Sequence, residues 1–309
     1  MWTTDTSILT PLEHLDAFPL QRTSASFGLD LWRWLLQILA GREKVVVVSV
    51  QYRLGALGFL CLQQAKQSEQ RLAACNMGLL DQQMALKWVS KNIGAFGGDP
   101  KRVTLFGESA GSASVSLHYL SPDSRPLFSQ MIMQSASMFN RWALVASDVA
   151  NERSAAFSKA CGCEEESLAE QVACLQRLQP AELVDKAGAV YAAREKRRGA
   201  RLAEMSPPVD ASMYADSAIY ASFEFAPTVD GLFLPDCPEN LLTQMALHPT
   251  GSTPPRLLIG TMANEGMYWL LYGLGLKNVQ FLSENGTVSL PDEITFQGAN
   301  FDIYSLLTA

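Results

Sequence analysis

The stretch that decides this chain runs Phe96-Gly97-Gly98-Asp99-Pro100-Lys101-Arg102-Val103-Thr104-Leu105-Phe106-Gly107-Glu108-Ser109-Ala110-Gly111. An apolar run from Val103 to Phe106 reads as a buried strand, and the residues from Ser112 onward read as a helix. Between them stands Gly-Glu-Ser-Ala-Gly, a serine between two glycines on a strand-to-helix turn. A serine hydroxyl is a poor nucleophile at neutral pH, and such a turn exposes it where a helix N-terminus favours developing negative charge. The flanking glycines give room for the turn. Ser109 is the candidate nucleophile.

Outward from this motif, strand-like runs occur at Val45 to Val50, Gln130 to Gln134 and Arg256 to Gly260. Helix-period segments fill the intervals: Leu79 to Ile93, Ser112 to Leu120 and Asp148 to Ala160. Strands that alternate with helices predict an α/β fold, a mostly parallel central sheet flanked by helices on both faces.

Three further blocks make the motif specific: VVVVSVQYRLGALGFL from Val45 to Leu60, NMGLLDQQMALKWVSKNI from Asn76 to Ile93, and Asn264-Glu265-Gly266 followed by the aromatic run Tyr268, Trp269, Leu270, Leu271, Tyr272. With FGGDPKRVTLFGESAG they resemble the type-B carboxylesterases, the family of the cholinesterases, over roughly residues 45–275. The resemblance implies an α/β-hydrolase fold, incomplete at both ends. Residues 1–44 do not match it, and residues 45–309 read as a partial domain with an insertion at 187–220 that holds a basic cluster, Arg194 to Arg201, and Pro207-Pro208. Arg53 and Asp81 fall where the family has a scaffold ion pair; if buried, removal of either partner would cost roughly 3–5 kcal/mol.

An α/β-hydrolase needs a nucleophile, an acid and a histidine in that chain order. The resemblance gives Ser109 and Glu265 as the first two and the Ala110 amide as one oxyanion donor. The histidines are His14, His118 and His248, and all precede Glu265. Nine helical steps of about 100° put His118 on the far side of its helix, about 13 Å along the axis from Ser109. It reads as a packed or surface residue, and His248 before Pro249 as a loop residue. No glycine pair before Val45 offers the second oxyanion donor. A lost donor costs about 3–4 kcal/mol in the transition state, and a lost triad histidine about a millionfold in rate. The chain as written is expected to be nearly inactive, a fragment or truncated form of a longer enzyme.

The resemblance also assigns a substrate site. Tyr268 and Trp269 fall at choline-site and gorge-wall aromatics, Glu108 at the acidic residue near a cationic head, and Trp142 and Phe223 at the acyl pocket. A quaternary ammonium is held by aromatic faces at about 0.5–2 kcal/mol per ring. Ala221 stands where the family has a second acyl-pocket phenylalanine, which implies a wider pocket. The implied partner is a small-molecule ester, choline esters among the candidates; the full-length form admits a homo-oligomer. No cofactor and no metal are called for. A non-catalytic adhesion or binding protein on the same fold is the alternative, disfavoured by the intact Ser109 motif and Glu265.

The formal charge of −7 argues against a nucleic-acid partner, because counterion release needs clustered Lys and Arg. With 48% hydrophobic and 18% charged residues the chain is globular. Residues 1–21 carry acidic residues and no basic start or apolar core, so no signal peptide is visible. No apolar run near the start is long enough to span a bilayer. The resemblance nevertheless implies a secreted or cell-surface setting. Of the six cysteines it matches Cys163 and Cys174 to a small disulfide loop; Cys161 could compete for Cys174, and Cys61, Cys75 and Cys237 have no assigned partner. Asn285-Gly286-Thr287 is a glycosylation sequon.

Overall fold

The computed structural model describes residues 6–11, 38–62, 75–204, 223–248, 254–263, 265, 294–296 and 299–301. The chain divides into two compact units, one of Met1–Ala187 with Glu224–Thr261 and one of Gly188–Phe223 with Met262–Ala309.

The first unit is built on a five-stranded sheet. Its strands are β1 (Thr6–Pro11), β2 (Val45–Ser49), β3 (Thr104–Glu108), β4 (Gln130–Gln134) and β5 (Arg256–Gly260), in the spatial order β2-β1-β3-β4-β5. β3, β4 and β5 are parallel neighbours in simple register, with Glu108 opposite Gln134 and Gln134 opposite Gly260. β1 pairs antiparallel with both β2 and β3, so β2 runs the same way as the other three. The sheet is thus mostly parallel, as the alternation of strands and helices predicts. The exception is a central strand drawn from the N-terminal segment, where the sequence shows no strand signal: Thr6–Pro11 is short and ends in a proline that cannot donate to a ladder.

The helices are α1 (residues 38–43), α2 (Gly55–Phe59), α3 (Met77–Asn92), α4 (Ala110–Leu120), α5 (Ser147–Ala160), α6 (Leu168–Arg177), α7 (Pro180–Glu204) and α8 (Pro238–Leu247). Among the described residues, two apolar clusters pack against these helices. Leu105, Met131 and Met133 of the sheet pack with Leu86, Val89 and Ile93 at α3 and Val115 of α4. On the other side Leu117 and Leu120 of α4 join Phe59, Leu79, Phe157, Phe225, Phe233 and Leu241. α4 therefore lies between two cores, and Tyr119 alone of its eleven residues escapes full burial. A helix buried all round must satisfy every polar side chain internally. In α4 these are three serines and a histidine.

Residues 187–204 of the expected insertion lie within α7, so the whole basic cluster, Arg194 to Arg201, is on a helix; residues 205–220 lie outside the described residues. The second unit contains a two-stranded antiparallel pair, β6 (Ile294–Phe296) with β7 (Ala299–Phe301). Among the described residues no helix is long and apolar enough to cross a membrane.

Candidate active site

The turn at the end of β3 has the backbone its sequence calls for. Ser109 sits at φ 53° and ψ −118°, a conformation that L-residues other than glycine rarely adopt. Such strain amounts to about 1–3 kcal/mol and persists only where the surroundings fix it. Here the fixing is visible on both sides. The Ser109 N–H donates to the Gln134 carbonyl at 2.9 Å, which extends the β3–β4 ladder by one residue. The Ser109 carbonyl accepts the Ala113 N–H at 3.0 Å, the first bond of α4. A Cβ at Gly107 would run into the backbone of Gly111, so the glycines on either side let strand and helix touch.

Ala110 opens α4, so its amide is one of the first-turn donors that no i−4 carbonyl can take. These donors and the positive end of the helix dipole stand beside Ser109. Glu108 ends β3 and is half-buried. Trp142 is buried, on the segment that follows β4.

His118 lies inside the protein, fully inaccessible. Its Nε2–H donates to Gln82 Oε1 at 2.9 Å, and its Nδ1 accepts the Ser124 hydroxyl at 2.9 Å. Gln82 Oε1 can only accept, which fixes the tautomer. Ser124 Oγ in turn accepts Gln83 Nε2 at 2.9 Å, and Gln83 Oε1 accepts Lys87 Nζ at 2.8 Å. Phe233 meets the ring edge-on at 5.2 Å. Burial lowers the His118 pKa from 6.5 to about 3, so the imidazole is neutral near pH 7 with both nitrogens engaged. It is a packed residue and not a base for Ser109. His248 caps the C-terminus of α8 and is exposed.

Glu265 belongs to the second unit, where its Oε1 accepts the Met262 N–H at 2.8 Å. Phe223, half-buried, belongs to that unit as well. Ser109, Ala110, Glu108 and Trp142 belong to the first. Ala221, Tyr268, Trp269 and Asn285 lie outside the described residues. Among the described residues no cluster of three or more His, Cys, Asp or Glu could hold a metal ion.

Two disulfides are formed. Cys163 pairs with Cys174, leaving Cys161 as a thiol. Cys61 pairs with Cys75, both fully buried, a bridge that the sequence left unassigned. Arg53 and Asp81 form a bidentate pair, Nε to Oδ2 and Nη2 to Oδ1 at 2.7 Å each, and the Arg53 N–H adds a third bond at 3.0 Å. Partial burial would raise the Asp81 pKa, but the hydrogen bonds and charge of Arg53 outweigh it and leave the carboxyl below its usual range. The Arg53 side chain is 52% exposed, so this is a surface-type pair worth about 0.2–1 kcal/mol rather than a buried one.

The sequence profile of the Carboxylesterase family matches residues 35–300. Acetylcholinesterase of Danio rerio is 40% identical over 250 residues, which are 81% of this chain and 34% of the relative. Cholinesterase of Mus musculus is 40% identical over 237 residues, 77% of this chain and 34% of the relative. Cholinesterase 1 of Branchiostoma lanceolatum is 40% identical over 253 residues, 81% of this chain and 61% of the relative. The chain spans about a third of the length of the two vertebrate relatives. The strained serine turn between a parallel strand and a buried helix agrees with the profile match over most of the sequence: the chain belongs to the carboxylesterase family, whose fold is the α/β-hydrolase.

Proposed function

We propose that this chain carries the nucleophile of a serine carboxylic ester hydrolase of cholinesterase type. The observation that supports this most is Ser109 at positive φ at the N-cap of α4. In the reaction the Ser109 Oγ attacks the ester carbonyl while a base takes its proton, and the Ala110 amide donates to the carbonyl oxygen as it becomes an oxyanion. Collapse expels the alcohol, which takes that proton, and leaves an acyl-serine that water hydrolyses. Glu265 is the acid that orients the base in this reading. His118 is not that base, since it is buried and bonded to Gln82 and Ser124.

Choline esters are the proposed substrates because the relatives are named as cholinesterases, and the resemblance assigns Glu108, Tyr268 and Trp269 to the cationic head. By the resemblance Trp142, Ala221 and Phe223 belong to the acyl side, and an alanine at 221, smaller than a phenylalanine, favours acyl groups longer than acetyl. The two disulfides support a secreted or cell-surface setting, where oxidised cysteines persist.

The test is phosphonylation of the 309-residue chain by a fluorescent organophosphonate, with and without added imidazole as a substitute base. Labelling of Ser109 that rises with imidazole and is absent in Ser109→Ala is the expected result. Labelling at full rate without imidazole would place a working base within the chain, and no labelling under any condition would remove Ser109 as an activated nucleophile.

A further inference from the structure

The segment after β4 is fastened to α4 by hydroxyls that the hydrolytic reaction does not use. Ser112 Oγ–H donates to the Ala136 carbonyl at 2.6 Å. Ser116 Oγ accepts the Met138 N–H at 2.8 Å and donates its own proton to the Ala113 carbonyl at 2.7 Å. Both serines are buried, and so are Ala136 and Met138. The segment starts beside the nucleophile, because Gln134, which accepts the Ser109 N–H, is followed at once by Ser135. Ser135 has φ 59° and donates its N–H to the Gly260 carbonyl at 2.9 Å. Adjacent strands thus end in matching positive-φ turns, one bearing the nucleophile and the other opening this segment.

Beyond Met138 the chain closes a tight turn. The Ser137 N–H donates to Asn140 Oδ1 at 2.7 Å, the Asn140 N–H to the Ser137 carbonyl at 3.1 Å, and the Ala143 N–H to the Asn140 carbonyl at 2.8 Å. Trp142 lies within it, buried, and Phe139 stands exposed at its tip. Two hydroxyls one helical turn apart therefore bind two alternate residues of one strip of backbone, and that strip leads to the aromatic residue of the acyl side.

We propose that Ser112 and Ser116 are positioning residues for acyl-group selectivity, holding Ala136–Met138, and through it Trp142, at a fixed offset from Ser109. This rests on the esterase reading. Neither serine touches the reacting atoms; they act by keeping the wall of the acyl side from yielding to a larger group. Ser114, on the same buried helix, provides the control: its hydroxyl bonds back to the Ala110 carbonyl at 2.9 Å and accepts Gln82 Nε2 at 3.4 Å. Neither bond involves the segment after β4.

The experiment compares the intact chain with Ser112→Ala, Ser116→Ala, Ser116→Thr and Ser114→Ala. Serine to alanine on a helix removes one atom and raises helix propensity, so the alanine variants keep α4. Amide hydrogen exchange of residues 136–142 and the ratio of Ser109 labelling by butyl- over methyl-phosphonate are read on the same samples, with imidazole present. Ser112→Ala and Ser116→Ala are expected to speed exchange of the segment by about tenfold and to raise the ratio by about threefold. Ser116→Thr, which keeps the hydroxyl, restores both, and Ser114→Ala changes neither. Faster exchange with an unmoved labelling ratio overturns the selectivity role, because the clamp would then exist without selecting. Absence of labelling in the intact chain overturns the esterase reading and the selectivity role with it, and the exchange data tell that case from loss of the clamp.

Discussion

His118 makes the fold acid-sensitive in a pH range where carboxylates are still ionised. Its ring is fully buried among Gln82, Ser124 and Phe233, all uncharged, and the first charged group along its hydrogen bonds is Lys87, reached through Ser124 and Gln83. In the unfolded chain the imidazole takes a proton near pH 6.5, whereas in the folded protein burial holds its pKa at about 3. The folded state therefore binds fewer protons throughout that window. The contribution of His118 to stability is fully present above pH 6.5 and is lost as pH falls from there toward 3, at about 1.4 kcal/mol per pH unit. Between pH 6.5 and pH 5 the loss is about 2 kcal/mol, a large share of an ordinary domain's stability.

The carboxyls of Asp81 and Asp99 lie below their usual range because of Arg53 and Arg102, so they protonate further down. Urea unfolding measured between about pH 7.5 and about pH 5, for the intact chain and for His118→Gln, isolates the effect. The variant starts less stable because it gives up the ring's packing, but it lacks the titrating group and its stability should change less with pH. Parallel pH profiles for the two proteins would refute the reasoning, since they would mean that the ring protonates in the folded state as readily as in the unfolded one.

Three further outcomes follow from the same geometry. Replacing Cys61 and Cys75 together by alanine opens a loop of about 15 residues and should lower stability by about 3 kcal/mol, read by urea unfolding without reductant. Gly107→Ala forces a Cβ into the backbone of Gly111 and should destabilise by more than about 3 kcal/mol while abolishing Ser109 labelling; a variant with unchanged melting would contradict the contact. Arg53→Ala should cost only about 1 kcal/mol near neutral pH, because the arginine is half exposed. That difference should vanish in acid as Asp81 takes its proton, read by the same unfolding assay in the intact chain and the variant.

What the sequence shows and what it hides divide by range of interaction. β3, β4 and β5 and helices α3, α4 and α5 fall within two residues of the expected positions, because apolar periodicity and the Gly-Glu-Ser-Ala-Gly turn are local signals. β1 is absent from that reading: Thr6–Pro11 has no pattern of its own and becomes a strand only through pairing with β2 and β3, far along the chain. The Cys61–Cys75 bridge is hidden for a similar reason, since six cysteines admit fifteen full pairings and nothing local selects one. His118 is half legible. Helical geometry separates it from Ser109, but only the folded chain brings Gln82 and Ser124 to its two nitrogens.

These hidden contacts converge on α4, and that explains how a strained serine can be held at its N-terminus. The turn stores about 1–3 kcal/mol. Burial of Val115, Leu117 and Leu120 returns about 1.5–3 kcal/mol for each side chain, more than enough to keep the helix in place. Burial alone is non-directional, however, and fixes neither the rotation of the helix nor its translation along its axis. Directional bonds supply what it lacks. Ser112 and Ser116 tie one face to the segment after β4, and Ser114 and His118 reach Gln82 of α3. At the far end Arg125 donates to the Tyr119 carbonyl at 2.9 Å and to that of Leu120 at 3.4 Å, a cation where the helix dipole favours one. Loosening the bonds of Ser112 and Ser116 leaves the apolar cores and α4 intact but frees the segment after β4 to shift beside Ser109. Replacement of Ser112 or Ser116 should therefore change how Ser109 selects its acyl group before it unfolds the protein.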